Sequence, residues 1–154
     1  MSDLTYSESV VVAATPEALY DLVSDVTRVG EWSAECRGAW WDDGATGAVG
    51  DWFTGRNESG ENTWETKSQV IAAERGREFA FVVGGSYVRW GFTLAAAEGG
   101  TELTESWAFL PDGIAFFRDR FGDEVDAAIT GRTETARTGI HDTLAAIKKI
   151  AESG

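Results

Sequence analysis

In the last quarter of the chain, hydrophobic side chains recur at Phe117, Phe121, Val125, Ile129, Ala136, Ile140, Leu144, Ile147 and Ala151. That three-or-four-residue step places them on one stripe of a helix, which must be buried. Asp119, Asp123, Glu124 and Asp126 crowd the early turns and Lys148 with Lys149 occupies the last ones, as the helix dipole favours. An unbroken helix over residues 112–152 would be roughly 60 Å long, more than the roughly 40 Å diameter of a compact chain of this size. Gly122 is the weakest point in it, so the pattern predicts a leading helix over 114–121 and a main helix over 123–152.

The pattern before this segment has a different period. Residues 4–13 are rich in Val and Thr, with Tyr6, Val10 and Val12 on one face that Glu8 interrupts, and read as a strand. Thr15 as a cap, Pro16 in the first helical position and Glu17 at the positive dipole end then start a short helix through Leu19, Leu22 and Val23. Asp25 caps a second through Val26, Val29 and Trp32. From residue 36 onward, strands over 36–42, 51–58, 63–74, 77–83, 87–96 and 101–110 alternate with Gly-bearing turns such as Asp43-Gly44, Ser59-Gly60 and Gly84-Gly85. This is an antiparallel meander. Within it Trp64, Thr66, Ser68 and Val70 oppose Glu65, Lys67 and Gln69, so one face of the sheet is wet and the other covered. The remaining element able to cover it is the C-terminal helix, which predicts an α+β domain over residues 1–154, a curved antiparallel sheet wrapped round that helix.

Three polar residues fall on otherwise apolar faces. Glu105 alternates with Leu103, Trp107 and Phe109; Arg132 lies between Ile129 and Ala136 on the helical stripe; Asn57 shares a face with Phe53 and Gly55. A buried polar group without a partner costs about 1–3 kcal/mol. Glu105 and Arg132 are therefore expected to point into the sheet–helix interface and to meet there, directly or through water, unless they contact a ligand. His141, the single histidine, groups with Arg137 and Ala145 away from the stripe, and is expected at the surface rather than as a general base.

Composition narrows the chemistry further. The single cysteine, Cys36, excludes an internal disulfide and fits a reducing compartment; together with the lone histidine it leaves no metal-ligand pattern, and no metal or other cofactor is expected. Residues 1–8 are polar with no apolar signal core, and no apolar run is long enough to span a bilayer, so a cytoplasmic protein without membrane insertion is expected. A net charge of −13 disfavours nucleic acid as a partner. Seven tryptophans and eight phenylalanines exceed what a minimal core needs and point to a lined cavity. The periodicities place Phe53, Trp64, Phe79, Phe81, Trp90, Phe92, Trp107, Phe121, Val125 and Ile129 around it, with Asn57, Glu105 and Arg132 as its polar contacts.

Residues 14–25 (Ala-Thr-Pro-Glu-Ala-Leu-Tyr-Asp-Leu-Val-Ser-Asp) and Gly30-Glu31-Trp32-Ser33 resemble the opening of the START-like helix-grip proteins of the polyketide cyclase/dehydrase and lipid-transport (SRPBCC) family. Gly55-Arg56-Asn57, the run from Arg77 to Phe81, the run from Gly100 to Trp107, Gly139-Ile140, Thr143-Leu144 and Lys148 extend the resemblance along nearly the whole chain. It implies a seven-stranded sheet gripping the long helix, two short helices after the first strand, and a cavity for a hydrophobic small molecule such as a lipid or polyketide, in a monomer or homodimer. It supplies no universal catalytic residue. The alternative it leaves open is an aromatase, cyclase or dehydratase acting in the same cavity, with Glu105 transferring protons and Arg132 or Asn57 stabilising an enolate oxygen. The histidine or arginine–tyrosine constellation suited to polyketide cyclisation is missing from the strand faces.

Overall fold

A computed structural model describes residues 4–33 and 35–153. Alternating strands and tight turns produce β1 (Thr5–Val12), β2 (Cys36–Trp41), β3 (Trp52–Ser59), β4 (Asn62–Glu74), β5 (Glu78–Val83), β6 (Val88–Ala97) and β7 (Gly100–Phe109). They form one antiparallel sheet in the order β1-β7-β6-β5-β4-β3-β2. The meander is thus present as read, and β1 closes it by pairing with β7. At that pairing Gly100, at φ 144°, lies so close to the Val12 carbonyl that a Cβ would overlap it.

The chain crosses from β1 to β2, at the opposite edge, through α1 (Pro16–Val23) and a 3-10 helix (Val26–Glu31). Their caps are the expected ones: Thr15 Oγ1 accepts from the Ala18 amide at 3.2 Å, and Asp25 Oδ1 from the Thr27 amide at 3.1 Å.

After β7 come α2 (Pro111–Phe121), a 3-10 turn (Gly122–Glu124) and α3 (Val125–Ser153). The break falls at Gly122, whose φ of 54° is a conformation L side chains rarely adopt. The leading helix begins at Pro111 rather than at residue 114, because proline at the first position needs no amide partner and the Leu110 carbonyl already accepts the Ile114 amide at 3.0 Å. The main helix begins at Val125 because Gly122–Glu124 wind more tightly.

Directly opposed residues share a face, so the inner side of the sheet is a set of rows. One runs Trp41, Phe53, Ser68, Val83, Val88, Phe109; the next Val70, Phe81, Trp90, Trp107, Tyr6; the third Phe79, Phe92, Glu105, Glu8. α3 lies over these rows and buries Ala136, Ile140, Thr143, Leu144 and Ile147. Its far end is fastened to the end of β1. Lys148 Nζ donates to the Val11 carbonyl at 2.7 Å, and Glu152 accepts from the Ala13 amide at 2.9 Å. No helix among the described residues is long and apolar enough to cross a membrane.

Candidate functional site

Strand alternation aims six of the expected aromatic residues at α3. Phe53, Phe79, Phe92 and Trp107 are buried, Phe81 and Trp90 half-buried. Phe53 meets Phe81 edge-on at 5.0 Å between centroids, and Phe81 lies 6.2 Å from Phe79, which meets Tyr20 at the same distance. The four buried rings belong to one hydrophobic core with Ala136, Ile140, Leu144 and Ile147. The inner half of the expected cavity is therefore occupied by the protein's own side chains. Hollows among the described residues include one of about 460 Å³ along β1 and β7 beside Tyr6, Ser7, Arg89, Ser106 and Trp107, and one of about 230 Å³ between α1 and the end of α3.

The outer half is more open. Phe121 is 38% exposed and Trp64 37%, so these two sit on the rim rather than in the wall. Val125 and Ile129, on the first turns of α3, are half-buried. The β3–β4 hairpin extends past the end of β5 at Val83, and α2 leaves β7 at the same end of the sheet. This end forms a rim of aromatic and aliphatic side chains.

The polar residues sort differently from the expectation. Arg132 does not meet Glu105: its Nη1 lies 3.2 Å from both carboxylate oxygens of Glu35, which precedes β2. Glu35 leads into the edge strand β2, so the arginine's partner comes from the edge of the sheet opposite β1 rather than from β7. Asn57 is buried and donates to Thr66 Oγ1 at 3.2 Å and to the Trp64 carbonyl at 3.5 Å, which holds the rim hairpin together. His141 is at the surface as expected, its side chain 71% exposed, and shares a 2.8 Å hydrogen bond with Glu8. Glu8 also accepts from the Tyr6 hydroxyl at 2.7 Å, and these hydrogen bonds, Tyr6 first, hold its carboxyl below the usual range.

Glu105 stands apart from all of these. It is 6% exposed, its Oε1 has no hydrogen-bond partner among the described residues, and burial pushes its carboxyl well above the ordinary value of 4.5. It lies on the inner face of β7, beside the edge strand β1. Two residues on, the indole Nε1 of Trp107, 2% exposed, is also unpartnered. Each such group costs the fold about 1–3 kcal/mol.

Sequence reasoning missed Glu35, which lies in an irregular connection where no periodicity assigns a direction. It also missed Trp107 as a polar group, since an indole reads as hydrophobic until its N–H is traced; the i, i+2 spacing from Glu105 was the available signal. Among the described residues, no group of three His, Cys, Asp or Glu is placed to hold a metal ion.

A seven-stranded antiparallel sheet gripping a long C-terminal helix defines the helix-grip class of α+β folds. The family described as polyketide cyclase/dehydrase and lipid transport matches residues 3–152, and the chain belongs to that family. The solution structure of the Polyketide_cyc-like protein Cgl2372 from Corynebacterium glutamicum is 47% identical, with 98% of this chain and 93% of that one covered, at a TM-score of 0.75. The di-domain ARO/CYC StfQ of the steffimycin biosynthetic pathway shares the fold at 12% identity and a TM-score of 0.73, this chain matching 51% of its length and 97% of its own. The protein CV1439 from Chromobacterium violaceum does so at 14% identity and 0.69, over 98% of this chain and 99% of that one. No curated sequence matches the chain.

Proposed function

We propose that this protein binds a hydrophobic small molecule, of the polyketide or lipid kind its family handles, between the inner face of the sheet and the first turns of α3. The observation that carries this reading is the pairing of an aromatic inner face with buried polar groups that the fold leaves unpartnered; a structural core gains nothing from such groups, whereas a ligand site uses them to orient its guest. The half-buried Phe81 and Trp90 supply apolar contact, backed by Phe53 and Phe92 in the core, and the ligand enters past Trp64, Phe121, Val125 and Ile129. Burial of its apolar surface stabilises the complex by about 25 cal/mol per Å². Arg132 keeps Glu35 as its partner and closes the side of the entrance, and Asn57 fixes the hairpin. The net charge of −13 supports a neutral guest and speaks against nucleic acid.

The experiment is native mass spectrometry of the protein purified from its own host, followed by calorimetric titration of any molecule that accompanies it. A co-purified apolar molecule that competes with added ligand is the expected result. A protein that emerges empty and gives no heat with aromatic or aliphatic guests would sink the reading.

One observation favours a second reading, acid catalysis in the same site. Burial raises the Glu105 carboxyl well above its ordinary value, the direction a general acid for cyclisation or dehydration needs. Glu105→Gln separates the two: a binding protein keeps its affinity, whereas an enzyme keeps its affinity and loses turnover.

A further inference from the structure

α2 is covered on one side only. Gly113 and Ile114 are buried and Phe117 meets Phe109 edge-on at 4.9 Å, whereas Asp112, Ala115, Phe116, Asp119 and Arg120 are exposed. Phe116, at 47%, is the most exposed aromatic side chain among the described residues, yet it is held in place. Its ring stacks on Tyr87 with 5.2 Å between centroids and 15° between planes. Tyr87 is fixed in turn, since a Cβ at Gly84 would overlap its ring and one at Gly113 its carbonyl. Two rings already ordered in water form an apolar platform that loses little freedom on association. Charge also sets this helix apart. The chain carries −13, but α2 holds two aspartates, Asp112 and Asp119, against two arginines, Arg118 and Arg120, and is itself neutral.

The order of those charges identifies the partner. Asp112, Phe116 and Arg120 follow one another at four-residue intervals along one ridge of the helix, the acid about 6 Å before the ring and the base about 6 Å after it. Neither charged group has an ion-pair partner among the described residues. Such a ridge is its own complement when reversed. Laid on a second copy about a two-fold axis at Phe116, with the ridges packed side by side and the helices crossing at about 50°, it sets the two Phe116 rings together and Asp112 of each copy beside Arg120 of the other. Ala115, small and exposed, leaves room for the facing ring. A lipid surface has no fixed charges at that spacing. We propose that this face of α2 is the interface of a homodimer, closed by the Phe116 contact on the two-fold axis and by two reciprocal Asp112–Arg120 ion pairs. The rings supply the affinity and the exposed ion pairs set the register. The inference is independent of what the sheet–helix site binds.

The test is sedimentation equilibrium at about 0.15 M salt, where charges more than about 8 Å apart are screened and the long-range repulsion between copies is weak. The average mass is expected to rise from one chain to two, with a dissociation constant on the order of tens of micromolar for so small an interface. Phe116→Ser should weaken association about tenfold or more. Arg120→Asp and Asp112→Arg should each weaken it about fivefold or more alone, whereas an equimolar mixture of the two variants should associate within about twofold of wild type, because every contact between unlike copies then joins opposite charges. A protein that stays monomeric into the millimolar range overturns the proposal; if it then binds phosphatidylcholine vesicles and Phe116→Ser does not, the surface belongs to a lipid. A dimer indifferent to Phe116→Ser overturns it as well, since the copies then meet elsewhere. So does failure of the two charge-reversed variants to recover on mixing. The binding reading stands in each of these cases.

Discussion

The two halves of α3 have the same kind of sequence and opposite situations. From Ala136 to Ile147 the helix buries five residues against the sheet and donates from Thr143 to the Trp32 carbonyl at 3.2 Å. From Val125 to Arg132 it buries none, and its inward residues end half-covered beside an ion pair. One half anchors the fold. The other faces the outer part of the proposed site, where packing is looser, as a region that admits a guest needs.

The sharpest break of this contrast is truncation on each half. Ile140→Ala is expected to lower stability by about 2–5 kcal/mol, as loss of a fully buried aliphatic side chain does. Ile129→Ala should cost roughly 1 kcal/mol or less and act mainly on ligand affinity, since the site collapses or hydrates more easily there. Urea unfolding of both variants measures this, and equal losses would erase the distinction between anchor and entrance.

Glu105 sharpens the same contrast from the sheet side. Glu105→Leu should raise the stability of the unliganded protein by about 1–3 kcal/mol, because a buried unpartnered carboxyl is replaced by an apolar group. The pH dependence carries the same signature. Above about 4.5 the unfolded chain releases the Glu105 proton while the folded chain keeps it, so this residue lowers stability as pH rises towards the raised folded value, by at most about 1.4 kcal/mol per pH unit. Denaturation of wild type and Glu105→Gln across that window should diverge with rising pH, the variant becoming relatively more stable.

Gly122→Ala is expected to cost on the order of 1 kcal/mol through its positive φ. Smallest of all is the entrance ion pair: Arg132→Ala should change stability by about 0–1 kcal/mol, because both partners keep roughly a third of their side chains in water. A larger loss in thermal unfolding would mean that Arg132 anchors the fold as Ile140 does.

The architecture was legible because period and punctuation agree at each element. Gly-bearing turns bound the strands, Thr15 and Asp25 cap where their spacing says, and Gly122 interrupts a stripe too long to continue. The inward direction of Glu105 and Trp107 followed from the two-residue period alone. Arg132 shows where such reasoning ends. Periodicity reports which way a side chain points but not which partner reaches it first, and Glu35 lies in a connection with no period. Trp64 and Phe121 fail similarly: their faces are as read, yet exposure depends on how far α3 extends over the sheet, which no local pattern encodes.

The strand order has a consequence in time as well as in space. β1 is made first and pairs with β7, so that Ser9 meets Thr104 across a separation of 95 residues. During synthesis the first strand must wait without its sheet partner while β2 to β6 are laid down, and the helix that covers both follows later still. Such long-range closure belongs to slowly folding topologies. Until β7 emerges, Tyr6, Val10 and Val12 have no inner face to join, which makes the opening strand the part of this chain most dependent on its own ending.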